Sequence, residues 1–270
     1  MRRPNPLRLT KSVLAVANER NIKMTAASVA FYSFNTTIPL ALLVFVGLSY
    51  FGGIELLDQA IEIVAGVRAR RFQSIADRIG DEPPGRWRAA VIAGGILLWS
   101  AFRMFQAVDS SFAEVYDERK EASLVETLVD TVIVLVAVIV GVLVVGVAGA
   151  LLSFRAEGPV WVPYTTGLLF VVLVVAFLPM YYVFPRVETS LGDAVPGAVL
   201  AAVGWAVSAV FFRLYLSLSS NPYGLAGAVL LLLTWLYVGG LVLLLGVVLN
   251  AVLGRHVEVD YDWLPGAGEA

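Results

Sequence analysis

Ser28, Tyr32, Asn35, Thr36 and Pro39 fall at i, i+4, i+7, i+8 and i+11 within a stretch that carries no charge between Lys23 and Glu55. At helical spacing they share one face. An asparagine amide brings two donors and an acceptor, none of which hydrocarbon can satisfy. Pro39 has no N–H, so the carbonyl of Asn35 loses its helical donor. Such a face can do two kinds of work. It can bind neighbouring helices, with Ser and Thr hydroxyls or a water healing the break. Alternatively it can line a path for a solute, since irregular backbone at membrane depth is tolerated where a cavity is.

A second group lies later in the chain. "SLSSNPYGLAG", residues 217–227, puts Asn221-Pro222 at the start of another apolar helix, where proline suits the first turn. Tyr223 reads as an interface anchor, and Trp235 and Tyr237 as packing residues. Asn250, near the end of the same helix, is costly in lipid and is expected to face protein. With Tyr181 these four complete the candidates for a substrate path.

Other chemistry has little to work with. The chain has no cysteine, and its one histidine, His256, reads as an interfacial polar residue. One histidine without cysteine cannot build a zinc site of the usual ligand set. No H-E-x-x-H, G-x-S-x-G, Walker or dinucleotide motif is present. Asp, Glu and Lys are missing from the apolar segments, which excludes aspartyl and Ser–Lys dyads within them. The expectation is a protein that is not an enzyme, with no metal and no cofactor. A net charge of −2 offers no footprint for nucleic acid.

These residues need elements to position them. The 270 residues are 59% hydrophobic and 15% charged, against roughly 25% charged in a soluble domain. Charged residues delimit six apolar spans: 25–51; 89–102, extended by a snorkelling Arg103 to about 108; 131–154; one between 157 and 186; one between 193 and 213, extended to about 216; and 224–253. The expected fold is an all-α membrane protein with six transmembrane helices. The polar face of the first span should turn inward, towards the fourth and sixth. Residues 55–81 read as an amphipathic helical loop between the first two spans, with Phe72, Ile75, Ala76 and Ile79 in helical register behind Arg68, Arg70 and Arg71. The second span should continue into the cytoplasm, with Phe102, Phe105, Val108, Phe112 and Val115 as its apolar stripe and Gln106, Asp109, Glu114 and Asp117 facing away.

Arg2, Arg3, Arg8, Lys11, Arg20 and Lys23 precede the first span. By the positive-inside rule they hold the N-terminus in the cytoplasm, and six spans return the C-terminus there. The expected layout is a basic cytoplasmic segment 1–24, a membrane domain 25–254 and a short cytoplasmic tail 255–270. Small residues recur at spacing four as Gly197/Ala201, Gly224/Ala228 and Gly246/Asn250 and favour close helix packing.

Four segments, "AASVAFYSFNTTIPL", "LLWSAFRMFQAVDSSFAEVYD", "FLPMYYVFPRVETSLGDAVPGAVLAAVGWAVSAVFFRLYL" and "NPYGLAGAVLLLLTWLYVGGLVLLLGVVLNAVL", together resemble the YihY/BrkB family of bacterial and archaeal membrane proteins. The likeness runs over about residues 25–253. It implies a six-helix protein of the plasma (inner) membrane, whose members have been labelled virulence factors and, by a mistaken assignment, ribonuclease BN. The family's closing motif usually reads Gly-Ala-Glu-Leu-Asn. Here it is Gly246-Val247-Val248-Leu249-Asn250, so no role for that carboxylate carries over.

Two functions fit. One is a transporter or permease-like protein for a neutral or amphipathic solute whose identity the sequence does not give. The other is a non-transporting membrane scaffold or envelope-maintenance protein. The expected partner is the lipid bilayer, and self-association into a homo-oligomer stays open.

Overall fold

The computed structural model describes residues 6–50, 83–116, 125, 128–137, 140–141, 161–187, 189–218 and 224–260. Among these residues there are seven helices and no strand: α1 (Pro6–Glu19), α2 (Ile22–Tyr50), α3 (Pro83–Val115), α4 (Leu128–Ala137), α5 (Trp161–Val183), α6 (Leu191–Leu218) and α7 (Gly224–Leu253). Two of them, over Leu191–Phe212 and Val229–Leu253, are long and apolar enough to cross a membrane. The amphipathic loop expected over 55–81, Asp117 and Tyr223 lie outside the described residues.

Helix ends follow local chemistry. Asn21 takes a left-handed φ of 48° between α1 and α2, a conformation its short side chain tolerates. Ser190 and Asp193 form a capping box on α6. The Ser190 N–H and hydroxyl donate to the Asp193 carboxylate at 3.0 and 2.7 Å, and the Asp193 N–H donates to the Ser190 hydroxyl at 3.3 Å. α5 stops before Pro185, which disfavours helix in the residue ahead of it. α7 ends in a paired 6→1 and 5→2 arrangement, His256 N–H to Ala251 O at 3.0 Å and Arg255 N–H to Val252 O at 3.3 Å. The left-handed residue there is Arg255, with φ 56°, and not the adjacent Gly254.

The chain divides into two compact units. The first comprises Met1–Val29, Phe105–Val207 and Tyr237–Ala270. Within it the starts of α2, α4 and α6 meet the ends of α3, α5 and α7, as helices of alternating direction must. The Thr25 hydroxyl donates to Glu114 at 3.3 Å, and a Cβ on Gly240 would sit 3.2 Å from the Ala26 carbonyl. Tyr181, Phe112 and Phe184 form its aromatic centre, with ring centroids 5.6 Å and 5.4 Å apart and all three side chains buried. The expected stripe on α3 is buried at Phe105, Val108, Phe112 and Val115.

α6 and α7 cross at two facing glycines. A Cβ on Gly197 would lie 2.6 Å from the Gly246 carbonyl, and one on Gly246 would lie 2.7 Å from the Gly197 carbonyl. Only hydrogen at both positions lets the backbones approach this closely. Above the crossing, Trp205 donates its indole N–H to the Gly239 carbonyl at 3.2 Å and packs against Phe177, the rings tilted at 54° with centroids 5.8 Å apart.

The second unit comprises Ala30–Met104 and Ser208–Leu236. Its described contacts are between α2 and α3, and between Phe212 and Trp235, whose rings are 5.4 Å apart. Large apolar side chains are exposed on several of the described helices. On α6, Val203, Val207, Val210, Phe211 and Leu214 are exposed at i, i+4, i+7, i+8 and i+11, a continuous greasy stripe that water would not tolerate at this size.

Candidate functional site

The polar face of α2 separates into three parts. Thr36 and Pro39 are buried, Tyr32 and Asn35 are half-buried, and Ser28 is exposed. Ser28 therefore does not turn inward as expected, and its hydroxyl donates to the Thr25 carbonyl of its own helix at 2.7 Å. The reason is angular. Ile22, Ala26, Val29, Ala30 and Thr36 are buried and centre the packed face of this helix, so Ser28, Tyr32 and Asn35 fall on the flank beside it.

The hydroxyls expected to heal the proline break do something else. Thr36 donates to the Tyr32 carbonyl at 2.9 Å and Thr37 to the Ser33 carbonyl at 2.8 Å. Neither reaches the Asn35 carbonyl that Pro39 leaves open. The Asn35 amide also has no hydrogen-bond partner among the described residues. Beside this strip stands a charge the sequence reading had sent to the interface. Arg103 lies within α3, about 18 Å of helix short of its C-terminal end. Its guanidinium stands 5.9 Å from the ring centroids of both Tyr32 and Trp99, within cation–π range. A neighbour of Tyr32 is thus α3, while Gly240 of α7 meets the packed face of the same helix at Ala26 and Val29.

The remaining candidates sit differently. Asn250 is buried and its amide clamps α7 to α6. Its Oδ1 accepts from the Gly197 N–H at 2.7 Å, and its Nδ2 donates to the Ala194 carbonyl at 3.1 Å. These backbone groups flank Pro196, where the helical ladder is broken. Tyr181 is buried at 1% exposure and donates its hydroxyl to the Leu243 carbonyl at 2.7 Å. Trp235 packs on Phe212, and Tyr237 is half-buried. His256 lies 5.8 Å from the Tyr116 ring. Val248, at the family's acidic position, is 0% exposed.

One cluster was missed. Nη2 of Arg186 lies 2.9 Å from both carboxylate oxygens of Asp109 and 3.6 Å from Asp130. Asp109 was expected to face away from the apolar stripe of α3, yet it is 5% exposed. The spacing carried the signal. Asp109 is four residues after Phe105 and three before Phe112, which places it in the middle of that stripe. Arg186, the single basic residue between α5 and α6, satisfies the charge that burial there would otherwise strand.

Apolar helices, outward-facing stripes and internally held polar groups define a helical membrane protein. The family profile of virulence factor BrkB matches residues 13–264, and the chain belongs to that family. The ribonuclease-like protein YfkH of Bacillus subtilis is 24% identical over 219 residues, 75% of this chain and 80% of that protein. A UPF0761 membrane protein of Chlorobium limicola is 31% identical over 120 residues, 43% of this chain and 26% of its own length. A UPF0761 membrane protein of Pseudoalteromonas translucida is 30% identical over 112 residues, 38% and 36% of the two chains. No solved structure matches.

Proposed function

We propose that the chain is a multi-pass protein of the plasma membrane, with six spans and both termini cytoplasmic, that acts as a permease for an amphipathic solute. One observation carries this reading: polar groups on one flank of α2, among them an Asn35 amide with no hydrogen-bond partner among the described residues. Tyr32 and Asn35 lie one turn apart on α2, and the Arg103 guanidinium of α3 stands over the Tyr32 ring within the same unit. An intramembrane arginine is expensive, and function is its usual justification. A solute with a polar or anionic head and an apolar body would satisfy the Asn35 amide and meet the arginine charge while its tail met the exposed apolar side chains of α3, Ile96 and Trp99 among them. The six spans are supported by the alternating direction of the helices in the first unit.

A second reading is favoured by a separate observation. Tyr181 and Asn250 spend their polar atoms on the backbone of a neighbouring helix, which is what a non-transporting scaffold would need. It is also what the rigid part of a permease would need, so it does not displace the first reading. Neither reading calls for nuclease chemistry.

The test is translocation of a fluorescent anionic phospholipid across proteoliposomes, followed by dithionite quenching. The expected result is that the protein accelerates exchange between leaflets, and that Asn35→Leu and Arg103→Gln each slow it about tenfold, the worth of ~1.4 kcal/mol. Both variants should stay monodisperse in detergent. No acceleration by the intact protein, with Asn35→Leu lowering only stability, would favour the scaffold.

A further inference from the structure

Within the basic segment expected over residues 1–24, residues 6–19 form α1. This helix has two distinct faces. Ser12, Ala15 and Val16 are buried and hold it against the first unit. On the other side Leu7, Lys11, Leu14 and Asn18, at i, i+4, i+7 and i+11, are exposed, with Leu7 at 73% and Leu14 at 46%. Arg8, Lys11 and Lys23 are all exposed, and none of the three has an ion-pair partner among the described residues. Arg2 and Arg3 precede them, and Glu19 is the one acidic residue before α2.

We infer that α1 is a membrane-surface helix whose exposed stripe docks on the anionic phospholipid headgroups of the leaflet into which α2 inserts. This rests on α2 being embedded in the bilayer, and it is independent of permease activity. Three observations argue for it. Only Arg20 and Asn21 separate α1 from α2, a tether of roughly 7–10 Å, so α1 cannot leave the surface that α2 enters. The stripe pairs two leucines with a lysine between them, the composition that lets apolar tips reach the acyl boundary while the cation meets phosphate. The charge is one-sided and matches an anionic surface, where each basic side chain strengthens partitioning by about fivefold. Met24, 78% exposed at the start of α2, continues the apolar contact from α1 towards the bilayer.

The absence of native cysteine makes the test clean. Leu14→Cys and, separately, Phe31→Cys carry an environment-sensitive fluorophore in the full protein. Phe31 is 55% exposed on α2 and reports embedding of that helix. Each is reconstituted in phosphatidylcholine vesicles with and without phosphatidylglycerol and probed with lipids spin-labelled near the headgroup or deep in the chain. The expected result is deep quenching from the Phe31→Cys label in both lipids. The Leu14→Cys label should be quenched by the shallow probe in phosphatidylglycerol vesicles, and several-fold less in phosphatidylcholine alone or with Arg8→Gln and Lys11→Gln added. A water-like, unquenched Leu14→Cys label beside a quenched Phe31→Cys label would overturn the inference. So would quenching that ignores phosphatidylglycerol and the basic residues, or efficient cross-linking of Leu14→Cys to a second copy. Failure of the Phe31→Cys label would instead count against the membrane reading of α2, and the inference would fall with it.

Discussion

At the scale of residues, this protein separates charge by environment. Asp109 is nearly sealed, and its carboxylate is satisfied by Arg186. Asp130 is more open, with 24% of its side chain exposed, and lies farther from the guanidinium. Removing Arg186 would leave two carboxylates facing one another with one of them buried. We expect Arg186→Gln to cost on the order of 2–3 kcal/mol, below the roughly 3–5 of a fully buried pair because a quarter of the arginine reaches solvent. Asp130→Asn should cost less than about 1 kcal/mol, near the value of an exposed pair. Thermal melting of the purified variants in detergent checks the ranking, and equal effects would mean that Asp130 is the true partner.

At the scale of elements, close approach of α6 and α7 depends on what is missing as much as on what is present. Glycine at 197 and 246 removes the side chains that would hold the helices apart, and Asn250 then reaches the α6 backbone. In lipid the apolar driving force between helices is weak, so this packing and these hydrogen bonds supply much of the association. Asn250→Leu is expected to cost ~1–2 kcal/mol, and Gly246→Ala ~1–3 kcal/mol through overpacking. At Gly246 the new methyl would meet the Tyr181 hydroxyl and the Gly197 carbonyl. Because both changes act on one crossing, the double variant should cost less than the sum. Unfolding of the two single variants and the double variant in a graded denaturing detergent series measures this, and strict additivity would separate the asparagine clamp from the glycine contact.

At the scale of the whole molecule, the reading that remains to be tested is orientation. Five basic residues precede α2 and Lys23 lies in its first turn, and the starts of α2, α4 and α6 gather with the ends of α3, α5 and α7 in one unit. Both features support the proposal that the two termini share one side, the cytoplasmic one if the positive-inside rule holds. Single cysteines at Thr10 and Glu258, both exposed, should resist an impermeant thiol reagent in intact cells and react after lysis. Labelling of either in intact cells would break the six-span arrangement with both ends inside.

The sequence by itself determined the helical membrane class and the family, because charge-free length and motif order are one-dimensional properties. It also placed the helices closely: residues 224–253 were expected as a span and α7 is Gly224–Leu253. Local end chemistry was equally legible, as in the Ser190–Asp193 box, though the reading passed over it. It passed over α1 as well, because a short helix with basic residues on several sides looks like a solvated segment until a neighbour shows which face is covered. Only the tertiary structure decided the roles of the polar residues. Asn35 and Asn250 are the same side chain in similar apolar runs. The Asn35 amide has no hydrogen-bond partner among the described residues, while Asn250 closes a helix crossing because its partners come from α6, a distant part of the chain. The same holds for Asp109, whose place on the apolar stripe becomes tolerable through Arg186, a residue 77 positions away. Periodicity fixes which face a residue occupies, but what lies across from that face is set by the packing of the other helices.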